Sequence, residues 1–106
     1  MKQSELIKVV RGFRRGILDG RQSRHMCVAV CLPLQGYLSF LGVKSKIMEG
    51  ETPDVNHVWL RLSDGTIIDP TAHQFPRPDG GKMPAVYVGP QPEWYGQWTP
   101  RLFGEP

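Results

Sequence analysis

The chain has 106 residues, which is the usual length of a single domain. An apolar fraction of 40 %, with three Trp, three Tyr and four Phe, indicates a packed globular protein and excludes a disordered one. No apolar run reaches the roughly 20 residues that span a bilayer, and the N-terminus has no block of signal-peptide length. We therefore expect one soluble, cytoplasmic domain over residues 1–106, with a basic helix and loop at 1–24 and a tail rich in proline and aromatic residues at 89–106.

The net charge of +3 is concentrated near the N-terminus. Residues 1–24 carry seven basic and two acidic side chains, a balance of +5, so the remainder sums to −2. A basic helix can contact nucleic acid or an acidic partner, although such a stretch is most often a solvated face. No nucleic-acid reader motif is present, so nucleic acid is the partner that the sequence favours least.

The N-terminal half predicts two helices. Apolar residues recur at helical spacing over residues 4–18, and Gly20 is a plausible stop. The most apolar stretch of the chain, residues 26–41, is long enough to favour a buried helix over a strand. Pro33 lies inside it, and a proline inside a helix lacks an N–H and clashes with the carbonyl four residues back. Two interpretations remain: the helix is kinked near Ala29, or its regular part begins at Pro33.

The C-terminal half predicts short strands separated by loops. Alternation of apolar and polar residues predicts strands at residues 43–48 and 57–62. A turn at 63–65 and Pro70 bound a second strand of the hairpin at 66–69, and residues 85–88 are predicted as a further short strand. Residues 49–56 form a predicted polar loop, and the tail from residue 89 is predicted to be irregular. The fold class is therefore α+β, with N-terminal helices packed on a small antiparallel sheet.

The turn between the two central strands decides whether His57 and Asp69 can meet. A two-residue loop at 64–65 would place them on opposite faces of the hairpin. A three-residue loop at 63–65 would place them on one face, one diagonal step apart and within reach of each other. Gly65 suits the left-handed position of the longer loop, but the sequence allows both.

The two cysteines, Cys27 and Cys31, are neighbours on one helix and a poor disulfide pair. A thiol at a helix start is activated by the helix dipole, so Cys27 is the candidate nucleophile. A histidine such as His57 could take its proton, and a carboxylate such as Asp69 could orient that histidine. Packing is the favoured role of Cys31, which would compete as nucleophile only if Pro33 opened the regular helix.

Three motifs occur in the order typical of one superfamily. Cys27 stands fifteen residues before Gly42, which lies within a Phe-Leu-Gly-Val run at residues 40–43. His57 opens a His-Val-Trp strand, and residues 64–75 read DGTIIDPTAHQF. Over roughly residues 20–90 the chain thus resembles transglutaminase-like proteins of papain-like fold, including the arylamine N-acetyltransferases and small bacterial and phage members.

The resemblance implies a minimal papain-like, transglutaminase-like fold and cysteine-dependent acyl transfer on protein or peptide amides. By it, Cys27 is the nucleophile, His57 the base and Asp69 the orienting carboxylate. Gln22 would donate to the oxyanion together with the backbone N–H of Cys27. An acceptor water would make the protein a protease or glutamine deamidase, and an acceptor amine would make it a transglutaminase.

The sequence also suggests residues that line the substrate site, and it bears on metals, cofactors and binding partners. Trp59 and Gln74 are candidates for lining the substrate site, with packing beside the site as the favoured role of Trp59. No CxxC or HxxxH spacing supports a metal site, so we expect no metal or cofactor. The expected partner is a protein or peptide substrate, with no membrane. The alternative function is a non-catalytic papain-like module that binds a partner protein.

Overall fold

The computed structural model describes residues 2–18, 27–51, 56–74, 80–81, 83–96 and 99–103, with backbone alone for Leu18, Cys27, Asn56 and Gln74. The helices are α1 (Gln3–Leu18), α2 (Cys27–Phe40) and α3 (Glu93–Gly96), and one turn of 3-10 helix spans Ala72–Gln74. The strands are β1 (Ser45–Glu51), β2 (Asn56–Leu62), β3 (Thr66–Asp69), β4 (Tyr87–Pro90) and β5 (Arg101–Leu102). They form one antiparallel sheet in the order β4-β3-β2-β1-β5. The predicted α+β class, with N-terminal helices packed on an antiparallel sheet, is confirmed.

The sheet separates two clusters of buried side chains. Because side chains alternate along a strand, Val58 and Leu60 of β2 face the helices, whereas His57 and Trp59 face the other side. The buried cluster on the helix side comprises Leu6, Val10, Cys31, Leu34, Leu38, Val58, Leu60, Ile68, Val86 and Val88. The buried cluster on the opposite side comprises Met48, Trp59, Ile67 and Tyr95. Because both faces are covered, consecutive apolar residues can be buried at 58–60 of β2 and 67–68 of β3.

Helix α2 continues through Pro33. Pro33 and Ala29, four residues earlier, are both exposed, so the missing backbone hydrogen bond falls on the solvent side of the helix. The interpretation in which the regular helix begins at Pro33 is therefore wrong. Cys31 lies in the interior of α2 with no solvent exposure, and its Sγ is 3.7 Å from the carbonyl oxygen of Val58. Its predicted packing role is confirmed.

Three C-terminal elements differ from the sequence prediction. Strand β1 extends to Glu51, through residues 49–51 that were predicted as loop, because Gly50 pairs with His57 of β2. Strand β4 lies two residues later than predicted, and the tail contains α3 and β5 instead of being irregular throughout. These boundaries are set by pairing with distant strands, which local alternation does not reveal.

The hairpin between β2 and β3 has the longer of the two predicted turns. Leu60 lies opposite Ile68, which leaves residues 63–65 as the loop. Gly65 has a φ of 91°, and its N–H donates to the carbonyl of Leu62 at 3.1 Å. A two-residue loop is therefore excluded, and the register that brings His57 and Asp69 to one face is the one that forms.

Candidate active site

His57 and Asp69 form a buried pair on the sheet face away from α1 and α2. His57 is the second residue of β2, and Asp69 is the last residue of β3. The Nε2 atom of His57 lies 2.7 Å from Oδ2 of Asp69, and the two side chains are 1 % and 0 % exposed. The strands thus bring together two of the three residues that the sequence predicts to be catalytic.

The Asp69 carboxylate accepts further hydrogen bonds from two other parts of the chain. The backbone N–H of Thr71 donates to Oδ1 at 3.1 Å, and the hydroxyl of Tyr95 donates to Oδ2 at 2.7 Å. Burial, and then the negative charge of Asp69, raise the pKa of Tyr95, which keeps this phenol protonated as a donor. With His57 included, three donors converge on two oxygens, the pattern that an ionised carboxylate accepts.

Sequence reasoning missed Tyr95 as a site residue. It lies in α3, 26 residues after Asp69, within a segment that has no period-two or helical pattern. The signal in the sequence was the aromatic content of the tail, which by itself does not indicate a partner for Tyr95.

Aromatic stacking fixes the orientation of the His57 ring. The Trp59 ring stacks on it, with centroids 6.0 Å apart and an interplanar angle of 27°. Tyr95 in turn meets Trp59 edge-on, with centroids 5.0 Å apart. Trp59 has no solvent exposure, as expected of a core residue beside the site.

Helix α2 points its N-terminal end toward the end of the sheet where β2 begins. Midway along the helix, Cys31 contacts the backbone of Val58. One turn later, the Gln35 side chain donates to the carbonyl of Ser45 at 2.9 Å, at the far end of the sheet. The helix and β2 therefore run in the same direction, and the turn before Cys31 lies about 6 Å further toward the start of β2.

Cys27, the first described residue of α2, therefore has its backbone at the same end of the sheet as His57. Because α2 covers the opposite face of the sheet from His57 and Asp69, a contact between the thiol and the imidazole would have to pass around the end of β2. The Cys27 side chain lies outside the described part of the chain, as do Gln22 and the Gln74 side chain.

Two cavities lie at opposite ends of the sheet. The larger, of about 1070 Å³, lies between α2 and the β2–β3 turn and does not touch the His57–Asp69 pair. The smaller, of about 210 Å³, lies between α1 and residues 84–86. The carbonyl of Ala85 accepts from the N–H of Ala72, three residues after Asp69, so the smaller cavity lies at the same end of the sheet as the pair, but on the side of the helices.

Two further features concern metals and membranes. Within the described residues, no three His, Cys, Asp or Glu side chains are grouped so that they could hold a metal ion. None of the described helices is long and apolar enough to cross a membrane.

Comparisons of the chain with protein-family models, curated proteins and solved structures found no match. Membership of the transglutaminase-like superfamily stays a prediction based on the motifs. Any function has to be argued from the geometry of the site.

Proposed function

We propose that the protein is a cysteine-dependent hydrolase or acyltransferase acting on protein or peptide amides. Cys27 is the nucleophile, His57 the base and Asp69 the residue that positions the base. The observation that supports this most strongly is the buried 2.7 Å contact between His57 Nε2 and Asp69 Oδ2. A carboxylate on one ring nitrogen favours the tautomer in which the other nitrogen accepts a proton, so Nδ1 is the atom that would take the thiol proton.

The proposed reaction has two halves. His57 Nδ1 takes the thiol proton, and the Cys27 thiolate attacks the carbonyl carbon of the amide. The C–N bond then breaks, the imidazolium gives its proton to the departing nitrogen, and a thioester remains. In the second half the imidazole deprotonates water or an amine, which attacks the thioester and releases Cys27 as thiol. Water gives a protease or deamidase, and an amine gives a transglutaminase.

Thiol alkylation tests the proposal without knowledge of the substrate. At pH 6 an ordinary cysteine, with a pKa of about 8.5, is almost fully protonated and reacts slowly with iodoacetamide. We expect Cys27 in the intact protein to react at least about tenfold faster than in a His57→Gln variant, since one pKa unit changes the thiolate fraction about tenfold.

Cys31→Ala is the matched control, because it removes the other thiol of the same helix and should leave the fast label in place. Mass spectrometry of the labelled peptide identifies the cysteine. Equal rates in the intact protein and His57→Gln, or fast labelling at Cys31, would refute the assignment.

A non-catalytic binding module is the second candidate function. The specific observation in its favour is the burial of the pair, with His57 1 % and Asp69 0 % exposed, because a base has to reach its substrate. Buried polar networks also serve to specify a unique core. Under this alternative, Cys27→Ser would retain partner binding and biological function, whereas the acyl-transfer proposal requires that variant to lose thioester formation.

A further inference from the structure

Three arginines of α1 line the smaller cavity. Arg11, Arg14 and Arg15 stand three and four residues apart on one side of the helix, opposite the wall formed by residues 84–86. Like charges at this spacing repel and destabilise a helix by a few tenths of a kcal/mol per pair. The cluster is therefore a local cost to the fold in the absence of a counter-ion.

The described part of the chain supplies no such counter-ion. The carboxylate contacts that it contains involve His57 and Arg101, not the arginines of α1. The Nε atom of Arg14 is buried and has no hydrogen-bond partner there. Partial burial also lowers the pKa of Arg14, in line with a cation that has lost water without gaining an anion.

The cavity lies at the end of the sheet that carries Asp69. Gln3, at the start of α1, donates to the carbonyl of Val88 in β4 at 2.8 Å. Arg14, three turns later, borders residues 84–86, just before β4. Strand β4 begins with Tyr87, which lies opposite Asp69 in the sheet register.

We propose that this arginine cavity binds an acidic side chain of the substrate, next to the amide that Cys27 attacks. Binding of an acidic side chain is inferred from the cavity itself. Its position next to the attacked amide rests on the proposed acyl-transfer function. Guanidinium groups bind carboxylates through paired, charge-assisted hydrogen bonds, and a half-buried arginine offers them in a fixed orientation. The protein would thus select Asp or Glu near the acylated residue.

An acidic peptide fits the cavity better than a nucleic acid does. Among the described residues, Pro84, Ala85 and Val86 form the wall facing the arginines, and none of those that line the cavity is aromatic. Single-stranded nucleic acids are held by aromatic side chains on which bases stack, along an extended basic groove. A cavity of about 210 Å³ can hold one side chain, but it is too small to form a groove along the backbone of a nucleic acid.

Peptide binding to the Cys27→Ala variant tests the inference independently of catalysis. The probes are a fluorescein-labelled hexaglutamate and its hexaglutamine counterpart, with fluorescence anisotropy as the measurement. We expect the glutamate peptide to bind at least tenfold more tightly. Replacing Arg11, Arg14 and Arg15 together by Gln should remove that preference.

The matched control removes the same number of charges from the larger cavity, by changing Lys44, Lys46 and Arg61 to Gln. This control should keep the glutamate preference within about twofold. Arg14→Lys retains the charge without the paired donors and should bind with intermediate affinity. If the triple arginine variant fails to fold by circular dichroism, single Arg11→Gln and Arg15→Gln variants replace it, since both side chains are exposed.

Three results would overturn the inference: equal affinity for the two peptides, an equal loss in the control variant, or tighter arginine-dependent binding of an oligothymidylate of the same charge. Each of these leaves the acyl-transfer proposal standing, because none involves the thiol. Equal rates of Cys27 alkylation in the intact protein and in His57→Gln would refute acyl transfer while leaving acidic-peptide binding intact.

Discussion

At the scale of residues, Asp69 holds the candidate site together because its donors come from different elements. His57 reaches it from β2 and Tyr95 from α3, while the N–H of Thr71 follows it in the chain. A buried charge that loses one of several partners is strongly destabilising, since the desolvation cost remains. The network therefore couples the stability of this region to the orientation of the imidazole.

The Asp69→Asn variant tests the effect of the Asp69 charge separately from the effect of its size and shape. The amide has nearly the same size, so the fold should survive with a loss of about 1–3 kcal/mol in the free energy of unfolding. Because the amide cannot stabilise an imidazolium as a carboxylate does, we expect Cys27 alkylation at pH 6 to slow by about tenfold or more. Alkylation rates from pH 5 to 9 give the measurement, and an unchanged pH profile would remove Asp69 from the mechanism.

Tyr95→Phe should change the dependence of stability on alkaline pH. The folded protein retains the Tyr95 proton that an unfolded tyrosine releases above about pH 10, so the unfolded state binds fewer protons and stability falls as pH rises further. Phenylalanine removes this loss, which approaches about 1.4 kcal/mol per pH unit for one proton. At pH 7 the same variant should lose about 1.5–3 kcal/mol, because a hydrogen bond to a charged group is gone.

Urea unfolding of the Tyr95→Phe variant at pH 7, 10 and 11 measures both effects. Tyr37→Phe is the control, since Tyr37 is 42 % exposed and stacks on Phe13 at the surface. Parallel pH curves for the intact protein and Tyr95→Phe would contradict the argument.

The sequence predicted two members of this network and missed the third for a physical reason. His57 and Asp69 lie on neighbouring strands joined by a short turn, and the length of that turn determines which face of the sheet each side chain takes. Tyr95 reaches Asp69 only through tertiary packing, so nothing within its own segment points to that partner.

At the scale of elements, the turn at residues 63–65 sets the register of the hairpin. One residue fewer would move His57 and Asp69 to opposite faces, because side chains alternate with period two. The carboxylate of Asp64 accepts from the N–H of Thr66 at 2.9 Å, which holds the loop and lowers the pKa of Asp64. Turn chemistry therefore controls whether the candidate pair can form.

Gly65→Ala and Gly12→Ala should have opposite effects on stability. A Cβ at either position would meet nothing within 4 Å, so backbone conformation alone decides the sign. Gly65 has a φ of 91°, where an L-residue costs about 1–2 kcal/mol. Gly12 lies in the exposed interior of α1, where alanine should add about 0.5–1 kcal/mol. Thermal unfolding of the two variants checks the prediction, and a shift in the same direction for both would contradict it.

Sequence patterns predicted the central elements better than the peripheral ones. Period-two alternation identified β2 and the adjoining turn identified β3, while helical spacing of apolar residues identified α1 and a long apolar run identified α2. The passage of α2 through Pro33 depends on which side of the helix faces solvent, and the extension of β1 to Glu51 depends on pairing with β2. Both are tertiary outcomes that a local pattern cannot contain.

At the scale of the whole molecule, the C-terminal segment covers the sheet face opposite the helices. Strand β5 pairs with β1 through Leu102 and Met48, and the N–H of Phe103 donates to the carbonyl of Ile47 at 2.9 Å. Together with Tyr95, these contacts make the segment part of the core. The Arg101–Glu49 ion pair adds little, since the Arg101 side chain is 54 % exposed.

Removing the chain from residue 91 onward should therefore unfold the protein or leave it loosely packed. Full burial of a large side chain such as Tyr95 contributes about 1.5–3 kcal/mol, and its bond to Asp69 about as much again, while the partly buried Leu102 adds less. Together these approach the total stability of an ordinary domain, about 5–15 kcal/mol. Thermal unfolding, near-ultraviolet circular dichroism and binding of a hydrophobic dye report the loss, with a chain ending at Phe103 as control because it keeps every contact above. A different outcome is that the truncated chain unfolds within a few degrees of the control and its Cys27 is alkylated faster. That outcome would show that the segment is a removable cover over the His57–Asp69 pair.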